Sequence, residues 1–190
     1  ITIQNSIISQ GLQTHCAGGL VQADNITLYR NLYVDNDTRN AKIKGKNQYV
    51  NNIVYNWASG CFIMGGDSEG THYANAQGNL FINGPMGGGN AFGGANADFH
   101  IYAVDNWQDK DKDGVFDPYE IPKSEYSGGP TFMTSPMQAY DLPIEPATSL
   151  LETSLPTVGA SLPYRDYADW YVIDEVYSLG KRGEFIARET

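Results

Sequence analysis

Three observations predict an all-β chain folded as a right-handed parallel β-helix. Short runs rich in β-branched and aromatic residues recur in units of 20–27 residues. Each unit holds three such runs separated by turn residues. An Asn recurs at one turn of every unit, where stacked amides can hydrogen-bond from coil to coil. An antiparallel sandwich also has many short strands, but it does not require one Asn at the same corner of each unit.

The units read strand, Asn, strand. The first is Ile1-Thr2-Ile3-Gln4-Asn5, then Ser6-Ile7-Ile8-Ser9. The second is Ile26-Thr27-Leu28-Tyr29-Arg30-Asn31, then Leu32-Tyr33-Val34. The third and fourth centre on Asn52 and Asn79. The steps between Asn5, Asn31, Asn52 and Asn79 are 26, 21 and 27 residues. A third strand per unit is expected at 19–22, 41–44, 61–64 and 100–103. The coils are expected to span 1–105, with a calcium-type loop at 106–120 and an extended surface segment at 121–165. The repeat fades after residue 84 into a Gly-rich loop without a nucleotide fingerprint. One helix is expected over 166–179. Asp166 caps it, Trp170, Ile173, Val176 and Tyr177 share a face, and Gly180 ends it beside Lys181 and Arg182.

Composition bounds the function. With 41% apolar and 18% charged residues the chain is globular. A net charge of -10 argues against general nucleic-acid binding. No apolar run approaches the roughly 20 residues of a membrane span. The chain opens in strand with no leader, and it is expected to be the C-terminal part of a longer protein. Cys16 and Cys61 fall two coils apart, about 9–10 Å by strand spacing, too far for a disulfide. Asn25-Ile26-Thr27 and Asn36-Asp37-Thr38 are glycosylation acceptors if the source is eukaryotic.

Five of the twelve basic residues, Arg30, Arg39, Lys42, Lys44 and Lys46, fall in one 17-residue window. A basic island in an acidic chain points to an anion site. Strand alternation gives it a geometry. With Ile43 inward, Lys42 and Lys44 project outward side by side, and Arg39 sits at the turn before them. Such a row suits a polymer with repeating carboxylates.

Asp109-Lys110-Asp111-Lys112-Asp113-Gly114-Val115-Phe116-Asp117-Pro118-Tyr119-Glu120 matches a twelve-residue calcium loop. Asp109, Asp111, Asp113, Asp117 and Glu120 offer carboxylates, Val115 offers its carbonyl, and Gly114 permits the sharp turn. No helical pattern precedes the loop, so a structural calcium site is expected and not a sensor.

The stretch 25–56 resembles the pectate lyase superfamily, polysaccharide lyase family one in particular. The family pattern is strand, His/Arg-Asn, strand, then Arg-x-Pro-Arg-x-Arg/Lys, then a strand with Asn-Asn. Here the chain reads Leu28-Tyr29-Arg30-Asn31-Leu32-Tyr33, then Arg39-Asn40-Ala41-Lys42-Ile43-Lys44, then Tyr49-Val50-Asn51-Asn52. The tail Gly159-Ala160-Ser161-Leu162-Pro163-Tyr164-Arg165-Asp166 and its helix resemble the family's C-terminal element. The resemblance implies a secreted lyase, extracellular or periplasmic, cutting polygalacturonate or a related polyuronate by calcium-assisted β-elimination. It implies Arg39 as the base, with Arg30, Lys42, Lys44 and Lys46 holding carboxylates. Ala41 replaces the family Pro, and Lys42 and Lys44 replace arginines, losing the bidentate fork. The Lys expected one coil earlier is missing from 11–18, where His15 is a substitute donor. The resemblance also places the family's acidic calcium ligands upstream of residue 1, so the rest of the protein is an expected partner. A non-catalytic β-helix that binds an acidic polysaccharide is the second reading, and a structural fibre the third.

Overall fold

Short strands stack coil upon coil in the computed structural model, which describes residues 1–12 and 16–186. Three parallel sheets run the length of the stack. The first contains Thr2–Gln4, Thr27–Tyr29, Lys46–Val50, His72–Gln77, Phe99–Val104 and Thr131–Phe132. The second contains Ile7–Ser9, Leu32–Val34, Ile53–Tyr55, Leu80–Ile82 and Trp107–Asp109, with Tyr119–Glu120 added antiparallel. The third contains Leu20–Val21, Lys42–Ile43, Phe62–Met64 and Phe92–Gly93. The chain is a parallel β-helix, as its repeats predict.

The Asn ladder is real but displaced by one residue in its first member. Asn52 Oδ1 accepts from the backbone N–H of Asn31 at 3.0 Å and its Nδ2 at 3.1 Å. Asn79 serves Asn52 in the same way at 2.9 and 3.2 Å. The ladder continues to Asn106, whose Oδ1 accepts from Asn79 Nδ2 at 2.9 Å. Pairing Ile7 with Leu32 puts Ser6 opposite Asn31. Asn5 instead takes the left-handed corner position just before, with φ 50°, in line with Arg30, Asn51, Gly78 and Asp105. Two Asn-tolerant positions lie side by side at this corner, and repeat counting alone does not separate them.

The repeat also runs further than its sequence shows. The fourth strand of the third sheet is Phe92–Gly93, inside the Gly-rich stretch, and the 100–103 segment belongs to the first sheet. Trp107–Asp109 pairs with Leu80–Ile82, so coil strands continue past residue 105. Glycine content hid the fourth coil because Gly93 offers no outward side chain to the period-2 pattern.

Aromatic rings fill the coil interior. Tyr49 meets Phe62 edge-on at 5.0 Å, Phe62 meets Phe92 at 5.1 Å, and Phe92 stacks on Tyr126 at 4.2 Å. Each such pair adds about 0.5–1.5 kcal/mol beyond area burial. Cys16 and Cys61 are buried free thiols. Cys16 and Cys61 flank one strand segment, their carbonyls accepting from Thr38 and Asn40. They are therefore two coils apart.

After the last coil the chain returns along the outside. Asn75 exchanges two hydrogen bonds of 3.0 Å with the Met137 backbone. Gln48 donates to the Tyr140 carbonyl, Tyr29 to that of Pro143, and Asn51 exchanges bonds with Glu145. This strap reaches the first coil, where Gly159 N–H donates to Asn5 at 2.8 Å. Helix Tyr167–Tyr177 then runs over the second sheet, its N-cap Asp166 accepting from Asp169 N–H at 3.0 Å. Its docked side is Val172, Ile173, Glu175 and Val176, against Leu32, Val34, Ile53, Tyr55, Leu80 and Ile82. The predicted face is corrected at both edges. Trp170 is 53% and Tyr177 47% exposed, and Trp170 covers the Arg165 guanidinium instead. Arg182 lies at the helix's C-terminal end as expected, donating to the Asp174 carbonyl at 2.8 Å and to the Asp174 carboxylate at 2.6 Å.

Candidate active site and acidic loop

Arg39 lies in a backbone held from both sides. Its N–H donates to Gly60 at 3.1 Å and its carbonyl accepts from Gly19 at 2.8 Å. The turn before it is fixed by Asp37, whose carboxylate accepts from Ser59 N–H at 2.9 Å and Ser59 Oγ at 2.8 Å. The residue after it is fixed by Tyr49, whose hydroxyl donates to the Asn40 carbonyl at 2.6 Å. Arg39 itself has φ 56°, unusual for a long side chain. Its side chain is half-buried and takes part in no ion pair among the described residues. A cation is thus held at a rigid corner without an internal carboxylate to neutralise it.

Ile43 is fully buried, as strand alternation requires, and Lys42, on the opposite side between Leu20 and Ile63 in register, is itself only 8% exposed, so it does not stand free on the surface. Its ammonium donates to Asp67 Oδ2 at 2.6 Å. The Lys42 hydrogen bond holds the Asp67 carboxyl below the usual range. Asp67 is mostly exposed while the Lys42 side chain is 11% exposed, so the carboxylate is the partner that solvent or an incoming carboxylate can replace. Lys44 is half-buried with no side-chain partner among the described residues. Gly65 leaves it room, since a Cβ there would come within 2.9 Å of Lys44 Cγ.

The other two cations of the island lie elsewhere. Gly45, with φ 72°, turns the chain around a corner, and Lys46 emerges on the outer face of the first sheet above the Tyr73 ring. Arg30 is engaged on the strap side of the stack. It forms an ion pair with Glu145 and donates to Ser154 Oγ at 3.1 Å and the Thr153 carbonyl at 2.9 Å. Its guanidinium is consumed in fastening the strap. His15 lies outside the described residues. Asp67 was missed by sequence reasoning because it lies past the strand Phe62–Met64, outside the register that pairs Lys42 with Ile63.

In the acidic loop, carboxylate oxygens of Asp109, Asp111 and Asp117 lie within 4.8 Å of one another. Asp109 is buried and one of its oxygens has no partner. Burial first, then the charges of Asp111, Asp117 and Asp113, push its carboxyl up to about 6. An orphaned buried oxygen facing two more carboxylates fits a hard cation. The remaining predicted ligands sit differently. Asp113 turns inward on the loop, accepting from Val115 N–H at 2.7 Å, and Glu120 lies exposed in the short strand opposite Trp107. The loop thus departs from a helical hand at its last position, where a β-pair replaces the exiting helix.

No protein-family model matches the chain. It is 46% identical over 196 residues to "Probable pectate lyase C" of Aspergillus fumigatus, covering all of this chain and 46% of that protein. The protein of the same name from Neosartorya fischeri is 45% identical over 196 residues, with the same coverage. That of Emericella nidulans is 43% identical over 195 residues, covering all of this chain and 44% of the relative. The chain spans about half the length of the curated relatives it matches. Related along its whole length to proteins named pectate lyase C, and folded as a parallel β-solenoid, the chain is consistent with the pectate lyase superfamily.

Proposed function

We propose that the protein to which this chain belongs is a secreted polysaccharide lyase that cleaves pectate by calcium-assisted β-elimination. The observation that carries this reading is Arg39, an unneutralised guanidinium on a rigid corner beside Lys42 and Lys44. No described helix is long and apolar enough to cross a membrane.

In this reading a uronate lies along the third sheet. Lys42 exchanges Asp67 for the substrate carboxylate, and Lys44 adds a second positive charge. Charge neutralisation there acidifies the proton at C5 of the sugar. Arg39, in its neutral form, takes that proton, the C5 electron pair forms the C4–C5 double bond as the bond from C4 to the glycosidic oxygen breaks, and that oxygen leaves with a proton from water. A guanidinium is ordinarily protonated, so its role depends on the charge around it. Bound calcium would supply further neutralisation of the carboxylate. Among the described residues, Asp109, Asp111 and Asp117 are the group that fits a metal, and they lie on the second-sheet side. We assign them a structural calcium, with the catalytic ion held by carboxylates outside this chain.

The test is ultraviolet absorbance of unsaturated product from polygalacturonate with calcium, using the full-length protein. The wild type makes product, and Arg39→Ala lowers kcat by about 100-fold or more with little change in KM. Absence of product from the wild type, or an unimpaired Arg39→Ala, overturns the lyase reading. Binding without product points to the non-catalytic β-helix.

A further inference from the structure

We propose that the outer face of the first sheet carries a second binding site for an acidic sugar, built on Lys46, Tyr73 and His100. The identity of the polymer rests on the reading above, whereas the site is argued from geometry alone.

The register puts these three residues in one outward column. Tyr73 pairs with Lys46 on one side and with His100 on the other. The Tyr73 and His100 rings lie 4.9 Å apart at 30°, and Lys46 Nζ stands 5.5 Å from the Tyr73 centroid. The two rings therefore lie offset against each other along the column, with Lys46 Nζ over Tyr73. Their exposed edges offer apolar contact to the C–H bonds of a pyranose, and a uronate adds a carboxylate for the ammonium.

The strap leaves this column open. Its hydrogen bonds fall on the neighbouring column, Gln48 and Asn75. Lys46 stays exposed and the two rings half-exposed. Between strap and sheet is a cleft of about 720 Å³ walled by Lys46, Tyr73, Thr27, Asn25, Met137 and Tyr140. That volume is in the range that holds a small ligand. No acidic side chain lines it, and Lys46 has no ion pair among the described residues. In a chain of net charge -10, a lysine without an ion pair among the described residues, set over an aromatic stack, selects a single carboxylate over a polyphosphate.

The site is separate from the Arg39 corner. Gly45 turns the chain between them, so Lys42 serves the third sheet and Lys46 the first. Occupancy here holds polymer without reacting with it and raises the effective concentration of substrate at the groove.

The experiment follows histidine-ring NMR signals of the full-length protein from a host that does not glycosylate Asn25, titrated with trigalacturonate. His100→Gln assigns the signal. The His100 resonance is expected to shift saturably, to do so equally in Arg39→Ala, and to need about tenfold more ligand in Lys46→Gln and with the methyl-esterified trimer. Tyr73→Ala is expected to abolish the shift. An unmoved His100, or a titration indifferent to Lys46→Gln, overturns the proposal. Product formation with a silent His100 sinks this site and spares the lyase, and a saturable His100 shift without product does the reverse.

Discussion

The carboxyls of Asp35 and Glu175 meet across the seam between the second sheet and the C-terminal helix, both essentially out of solvent. Each leaves one oxygen without a partner, so a proton on one of them makes the bond both lack. Burial first, then the Glu175 contact, pushes Asp35 up to about 8, while Asn56 Nδ2 at 2.6 Å opposes the shift. The folded state then holds a proton that the unfolded chain has lost. Stability from this group is fullest below the unfolded value of 3.8 and is lost as pH rises toward about 8. Wild-type Tm is expected to fall between mildly acidic and mildly alkaline pH. Asp35→Asn keeps the Asn56 acceptor and flattens that fall. Equal slopes for the two proteins in thermal melts would sink the idea.

Asn79→Ala removes the acceptor of two Asn52 donors and leaves a buried N–H unpaired. Urea denaturation is expected to show a loss of about 2–4 kcal/mol, more than a single exposed hydrogen bond supplies. A loss under about 1 kcal/mol would show that water replaces the ladder.

The docked face of the helix predicts an asymmetry. Ile173→Ala is expected to cost about 2–4 kcal/mol in chemical denaturation. Trp170→Ala, on the exposed side, is expected to cost under about 1 kcal/mol. The reverse order would restore the face that spacing alone suggests.

The structural calcium proposed for the 109–120 loop predicts that added calcium raises Tm and a chelator lowers it. Asp109→Asn is expected to abolish the dependence of Tm on added calcium, because its oxygen is the buried one. An unchanged calcium response in that variant would place the ion elsewhere.

Burial raises the Cys61 thiol well above its usual pKa. With both thiols enclosed, thiol reagent is expected to react only as fast as the protein opens. Rapid labelling in native buffer would contradict the burial.

The coil strands were legible because period-2 alternation and a repeating Asn are both backbone-level signals. Lys42–Ile43 and Phe62–Met64 fell where those signals put them. Phe92–Gly93 did not, since a glycine strand has no alternation to read. The roles of cations were less legible than their positions. Arg30 and Arg39 look alike in sequence, both at left-handed corners, yet one meets Glu145, 115 residues away, and the other meets no carboxylate among the described residues. Only the path of the strap distinguishes them. The glycosylation motifs divide in the same way. Asn36 is buried with its amide donating to Ile8 and accepting from Gly11, whereas Asn25 is exposed.

The strap changes how the stack comes apart. In a simple solenoid each coil touches only its neighbours, so it unravels from an end one unit at a time. Here a single segment is tied to Asn75, Gln48, Tyr29 and Asn5, one residue on each of four successive coils. No coil can leave without breaking a bond to a segment that the others hold. Unfolding is therefore expected to be collective, and folding slow, because these ties close only after four coils are in register.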